Sequence, residues 1–278
     1  MNIAITPPAP TAAAAVTGPT PIPVGWVARL GAEVFGTAVL VFAVTGAATL
    51  SAGVPGSADA GAFPVAVALG LSVLVSSYAI GRYSGGHFNP AVTVGLAVAG
   101  RFAWRDVLPY VVAQIVGGVI GASVVRLVLR GGAGLSAGTF ASTGWGELSP
   151  GGFDLASAML VEIVATAILV AVVLGTTARS ADPGHAGLAI GFTLTLIGIV
   201  AIPVSNGSFN PARSIATAIY GGPVALDQLW MSIVAPLAGG VLAGGVSALC
   251  SLRRRRARAG REALIGSSRV VVGAEVPA

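Results

Sequence analysis

Ser205-Asn206-Gly207-Ser208-Phe209-Asn210-Pro211-Ala212-Arg213-Ser214 breaks into an otherwise apolar stretch. The run before it, Leu188 to Val204, is too short to end comfortably in water. The pattern predicts a helix that stops, a polar Gly/Ser turn, and a new helix beginning at Asn210. Asn is a favoured N-cap, and Pro at the first helical position sacrifices no hydrogen bond. Gly221-Gly222-Pro223 ends that helix at about Tyr220. Roughly ten residues span about 15 Å, half the hydrocarbon thickness. Such a half-length helix must be shielded by protein or line a watery cavity.

The device occurs twice. Ser84-Gly85-Gly86-His87-Phe88-Asn89-Pro90-Ala91-Val92-Thr93 follows another apolar run, and Gly100 ends its half-helix. One such segment in each half of a chain points to a site at the membrane midplane, between inverted repeats.

Composition sets the class. Of the 278 residues, 55% are hydrophobic and 9% charged, with a mean hydropathy of +0.89. Soluble domains carry about 25% charged residues. The chain reads as an integral membrane protein, helical because its apolar runs are long and do not alternate. The +5 net charge comes from arginine alone and gathers near the C-terminus, which gives no reason to expect a nucleic-acid partner. A single cysteine, Cys250, excludes an intrachain disulfide. No spacing of His, Cys or carboxylates suggests a metal, a cofactor or a nucleophile with its base.

Six apolar runs are near the ~20 residues needed to span a bilayer: Trp26–Ala52, Ala62–Gly81, Val107–Leu129, Leu155–Thr177, Ala186–Val204 and Leu229–Leu252. Residues 1–24 read as a disordered Pro/Ala-rich tail, 25–252 as one transmembrane domain, and 253–278 as a basic tail. The halves, about 25–130 and 154–252, repeat. Glu33…Thr37 answers Glu162…Thr166, Asn89-Pro90-Ala91 answers Asn210-Pro211-Ala212, and Gly117-Gly118 answers Gly239-Gly240. Three spans per half is odd, so the second half enters from the opposite face. With both termini cytoplasmic, twelve arginines lie inside against three outside, Arg126, Arg130 and Arg213, which sets the orientation.

Each half-helix aims an N-terminus at the midplane, and each end carries about half a positive charge. Two such ends repel cations, hydronium included. The Asn89 and Asn210 amides can donate to a passing oxygen, and the loop backbones 84–88 and 205–209 can turn carbonyls to the lumen. A file of acceptors with central donors suits a small neutral hydroxylic molecule.

At these residues the chain resembles the aquaporin and glycerol-facilitator channels. Both Asn-Pro-Ala boxes carry the resemblance, which covers about Trp26 to Leu252 and looks most like bacterial water channels. It implies an all-α, right-handed bundle of six transmembrane helices and two re-entrant half-helices, one pore per subunit and a homotetramer in the cell inner membrane. Arg213 falls on the arginine of the outer selectivity filter. The other three filter positions fall on Leu69, Gly198 and Gly207, where water channels usually place an aromatic at the first and a histidine at the second. A leucine and two glycines opposite an arginine imply a wider, less polar constriction. Glycerol facilitators also have glycine at the position of Gly198, but their aromatics are missing here. Phe209 could narrow the lumen beside Asn210, and His87 lies on the cytoplasmic approach. The resemblance makes Glu33 and Glu162 braces of the re-entrant loops.

The expected function is passive passage of water and small uncharged solutes such as glycerol, peroxide, urea or neutral metalloid hydroxides. The competing class is a coupled secondary transporter, which also uses inverted repeats and broken helices.

Overall fold

A computed structural model describes residues 24–50, 61–132, 138–178, 181 and 183–272. The expected N-terminal tail, apart from Val24, lies outside the described residues, as do Arg179 and positions 273–278. Every regular element among the described residues is helical. The first half holds α1 (Trp26–Leu50), α2 (Phe63–Ser84), α3 (Pro90–Val98) and α4 (Trp104–Leu129). The second holds α5 (Leu155–Thr176), α6 (Ala186–Ser205), α7 (Pro211–Gly221) and α8 (Pro223–Val272). Six of these are long and apolar enough to cross a bilayer, with the sixth span at Pro223–Arg254.

Local chemistry sets the ends. Pro64 opens α2, and Gly85 closes it at φ 94°, with its N–H on the Gly81 carbonyl. Asn89 and Asn210 are extended N-caps whose side chains accept from the first turns of α3 and α7. The Asp154 side chain accepts from the Ser157 N–H and caps α5. That bond is the main cause holding the Asp154 carboxyl below its ordinary value of 3.8.

The sixth span starts earlier than expected, at Pro223 rather than Leu229. Gly222, at φ 86° and ψ −176°, separates it from α7, and proline supplies a helical φ for its first turn. The helix also runs on to Val272, through most of the expected basic tail.

The packing has two-fold order. In the first half α1 packs on α4 and α2, and in the second α5 packs on α8 and α6. The half-helices reach across the halves, α3 lying mainly on α8 and α7 on both α4 and α8, while α2 and α6 pack together. Glycines permit these crossings. A Cβ on Gly117 would strike the Val34 carbonyl, and one on Gly239 the Ile163 carbonyl, the residues just after Glu33 and Glu162. A Cβ on Gly240 would come within 2.5 Å of the Ala91 carbonyl, and one on Gly118 within 3.0 Å of the Ala212 carbonyl. The long helices can approach the half-helices this closely because they carry no side chain there.

Candidate pore

Phe88 and Phe209 precede the two N-cap asparagines, and both sit in the left-handed region, at φ 49° and 50°. A bulky residue there is strained, so something must hold each one. Glu33 of α1 accepts the His87 N–H at 3.0 Å on one carboxyl oxygen and the Phe88 N–H at 2.7 Å on the other. Glu162 of α5 does the same for Ser208 and Phe209, at 2.7 Å each. Both glutamates are fully buried, and a buried carboxyl group is tolerated when its oxygens are occupied in this way.

The carbonyls of the same two phenylalanines are held from across the midplane. Asn89 Nδ2 donates to the Phe209 oxygen at 2.7 Å, and Asn210 Nδ2 to the Phe88 oxygen at 2.8 Å. Each asparagine Oδ1 caps its own half-helix, accepting from Ala91 at 2.8 Å or Ala212 at 3.0 Å. An amide nitrogen carries two hydrogens, so one N–H per asparagine remains for a molecule in the cavity that both line. That cavity is about 20 Å³ and is lined also by Leu69, His87, Val173, Leu194 and Phe209. Its scale is that of one or two waters.

The loop carbonyls are more committed than the sequence suggests. Besides Phe88 and Phe209, Ser84 O accepts from the Tyr110 hydroxyl, Ser205 O from Gly144 N and Asn206 O from Arg213. Gly85 to His87 and Gly207 to Ser208 retain carbonyls without a hydrogen bond among the described residues.

Arg213, one turn into α7, is 1% exposed. Its guanidinium donates to Ala141 O at 2.7 Å, Thr217 Oγ1 at 3.3 Å and Asn206 O at 3.3 Å. Its Nε has no partner among the described residues. From the segment before α5, the Ala141 carbonyl holds this cation directly. Asn206 Nδ2 ties back to Ser142 O, and Thr143 joins Ser214 and Ser232 in a hydroxyl cluster.

Residues 24–246 match the family model described as "MIP: Major intrinsic protein". The chain belongs to the major intrinsic protein family. It is 49% identical over 220 residues to "Aquaporin Z" of Photorhabdus laumondii, covering 78% of this chain and 95% of that relative. It is also 49% identical over 214 residues to "Aquaporin Z" of Brucella melitensis, covering 77% and 93%. Among solved structures it resembles the "X-ray structure of the aquaglyceroporin from Plasmodium falciparum", at a TM-score of 0.71 and 23% identity, over 82% of this chain and 98% of that one. At that identity the likeness is one of fold: a major intrinsic protein of six spans and two half-helices.

Within this major intrinsic protein one of the four expected filter positions borders the cavity of the two asparagines. Leu69 lines the cavity with the asparagines, whereas Gly198, Gly207 and Arg213 do not. Gly198 of α6 faces Ala66 of α2, where an added Cβ would lie 3.0 Å from the alanine methyl. Gly207, at φ 60°, backs onto Ile202 and the Phe209 ring. His87 lines the cavity, bonds Thr93 Oγ1 through Nδ1 at 3.0 Å and packs edgewise on Phe102. Among the described residues no group of His, Cys, Asp or Glu could hold a metal ion.

Sequence reading missed Gln114. Its amide donates to Glu33 at 2.7 Å and to Thr93 at 3.0 Å, adding a second-helix contact to one brace. A lone amide inside the apolar α4 was the available signal. Among the described residues no side-chain amide reaches Glu162, and Ser205 Oγ donates to it instead, at 2.5 Å.

Proposed function

We propose that this chain is a passive channel for water and small uncharged solutes that excludes protons and ions. The observation that carries the reading is the crossed pairing of Asn89 and Asn210 with the opposite loops. It leaves one N–H of each amide for the cavity, at the facing positive ends of two half-helices. A neutral hydroxylic molecule gains from such donors, while a cation meets two positive ends and finds no carboxylate among the cavity's lining residues. With His87, bonded to Thr93, as its one titratable residue and no carboxylate, that lining offers little to the ion coupling that a secondary transporter needs.

Leu69, Gly198, Gly207 and Arg213 form the outer filter in this reading, with the unpartnered Arg213 Nε as its fixed donor. Two glycines and a leucine opposite one arginine support passage beyond water, to glycerol or solutes of its size. His87 lines the inner approach, Phe209 borders the narrowest part, and Glu33 and Glu162 keep both loops in place. The working unit is a homotetramer in the cell inner membrane, with residues 25–252 as the channel and both termini cytoplasmic.

Stopped-flow light scattering on proteoliposomes, under paired water and glycerol gradients against empty vesicles, tests this. The expected result is raised flux of both. Fast water flux with glycerol at background would sink the wide filter, and uphill accumulation of a solute would sink the channel.

A further inference from the structure

Between α1 and α4 runs an open groove of about 490 Å³, lined by Leu30 and Val34 on one helix and Leu108, Pro109, Val112 and Val116 on the other. No polar surface lines it. Pro109 of α4 forms part of its wall, where it cannot donate to the Arg105 carbonyl. Both helices begin on the same side of the membrane, because one further full span and one returning half-helix separate them. The groove occupies roughly their first three turns, which places it in a single leaflet.

Its rim differs in chemistry. Arg105 precedes Leu108 and Pro109 by three and four residues, on the same stripe of α4. The Arg105 side chain is 89% exposed, with Asp106 at 3.6 Å. Asp106 is shared with Arg29, also at 3.6 Å, and Arg29 donates besides to Tyr110. Two arginines over one carboxylate leave the rim positive. Trp26 and Trp104, both exposed, stand at the same level, where indoles favour the headgroup boundary. An apolar slot at acyl depth beneath a cationic, aromatic rim complements one kind of molecule. A peptide there would leave backbone groups unsatisfied in hydrocarbon.

We propose that this groove seats an acyl chain of an anionic phospholipid whose phosphate pairs with Arg105. The test uses full-length protein carrying Trp145→Phe and Trp230→Phe, so that Trp26 and Trp104 report on the groove. Reconstituted in phosphatidylcholine vesicles, it is quenched with brominated-chain phosphatidylglycerol or brominated-chain phosphatidylcholine. Phosphatidylglycerol is expected to half-saturate at about a fivefold lower mole fraction, the effect of one surface arginine on an anionic lipid. Arg105→Gln removes that preference. Val112→Phe, filling the slot from its exposed wall, lowers quenching by both lipids. Unchanged water flux certifies that each variant is folded. Equal half-saturation would overturn the proposal in favour of non-selective annular lipid. A preference that survives Arg105→Gln would overturn it in favour of the tail arginines. Absence of quenching, or quenching indifferent to Val112→Phe, would overturn the groove as the seat.

Discussion

Phe88 and Phe209 hold the two loops in a conformation that each would leave if released. A left-handed, non-glycine residue costs on the order of 1–3 kcal/mol, and both its N–H and its carbonyl are gripped here. Glu162→Gln tests the grip. One acceptor oxygen becomes an NH₂ facing a backbone N–H, and a buried donor without a partner costs about 1–3 kcal/mol. Thermal unfolding in detergent is expected to fall accordingly, with reduced water flux; an unchanged melting temperature would refute the bracing role. Gly198→His addresses selectivity. The new Cβ must displace Ala66 by a few tenths of an ångström, since it would start 3.0 Å from that methyl. Glycerol flux is expected to drop about tenfold, equivalent to about 1.4 kcal/mol of barrier, while water flux holds. Unchanged glycerol flux would remove Gly198 from the filter. The asparagines, the glutamates and Arg213 could be singled out in the sequence because each is a polar group placed where hydrocarbon surrounds it. The partners of Arg213 could not. Ala141 offers only a backbone carbonyl, 72 residues away, and side-chain chemistry carries no trace of that contact.

At the scale of elements, close helix crossings bear the strain. Gly240→Val would drive a branched side chain into the Ala91 carbonyl, and overpacking of this kind costs about 1–3 kcal/mol or more. Loss of folded protein on size-exclusion chromatography is the expected outcome, with the milder Gly245→Ala, open on that side, as the tolerated control. The α5 cap makes a pH prediction. The Asp154 carboxyl is held below 3.8 in the folded protein, first by the Ser157 N–H. Its stabilising effect is complete above that ordinary value and fades as the pH falls through the lowered one. The difference in melting temperature between wild type and Asp154→Ala should therefore narrow on acidification below about pH 4. A gap that stays constant down to pH 2 would exclude this cap as an ionised acceptor. Six spans and two half-helices were legible because bilayer thickness and Asn-Pro caps leave few alternatives. The ends of α8 were not. The run Pro223 to Gln228 is too polar to count as hydrocarbon-spanning, yet the helix starts there from proline's fixed φ, and basic residues after Leu252 break no helix.

For the whole molecule, two half-helices facing one cavity predict transport without charge movement. A carrier moving one elementary charge would feel about 2.3 kcal/mol per 100 mV. Solute flux here should stay linear in its gradient and unaltered by a valinomycin-clamped potential, and proteoliposomes should carry no proton current. Flux that follows the imposed voltage would contradict the channel. The crossed asparagine bonds also set a timetable for biogenesis. Asn89 and Asn210 reach carbonyls 120 and 122 residues away in the chain. At roughly 5–20 residues per second of synthesis, the first loop waits on the order of 6–24 s for its counterpart to leave the ribosome. During that interval the amide of Asn89 and the carbonyl of Phe88 lack the partners that the second loop supplies. The extra amide contact on the Glu33 brace belongs to the half that is made first and must stand by itself the longest.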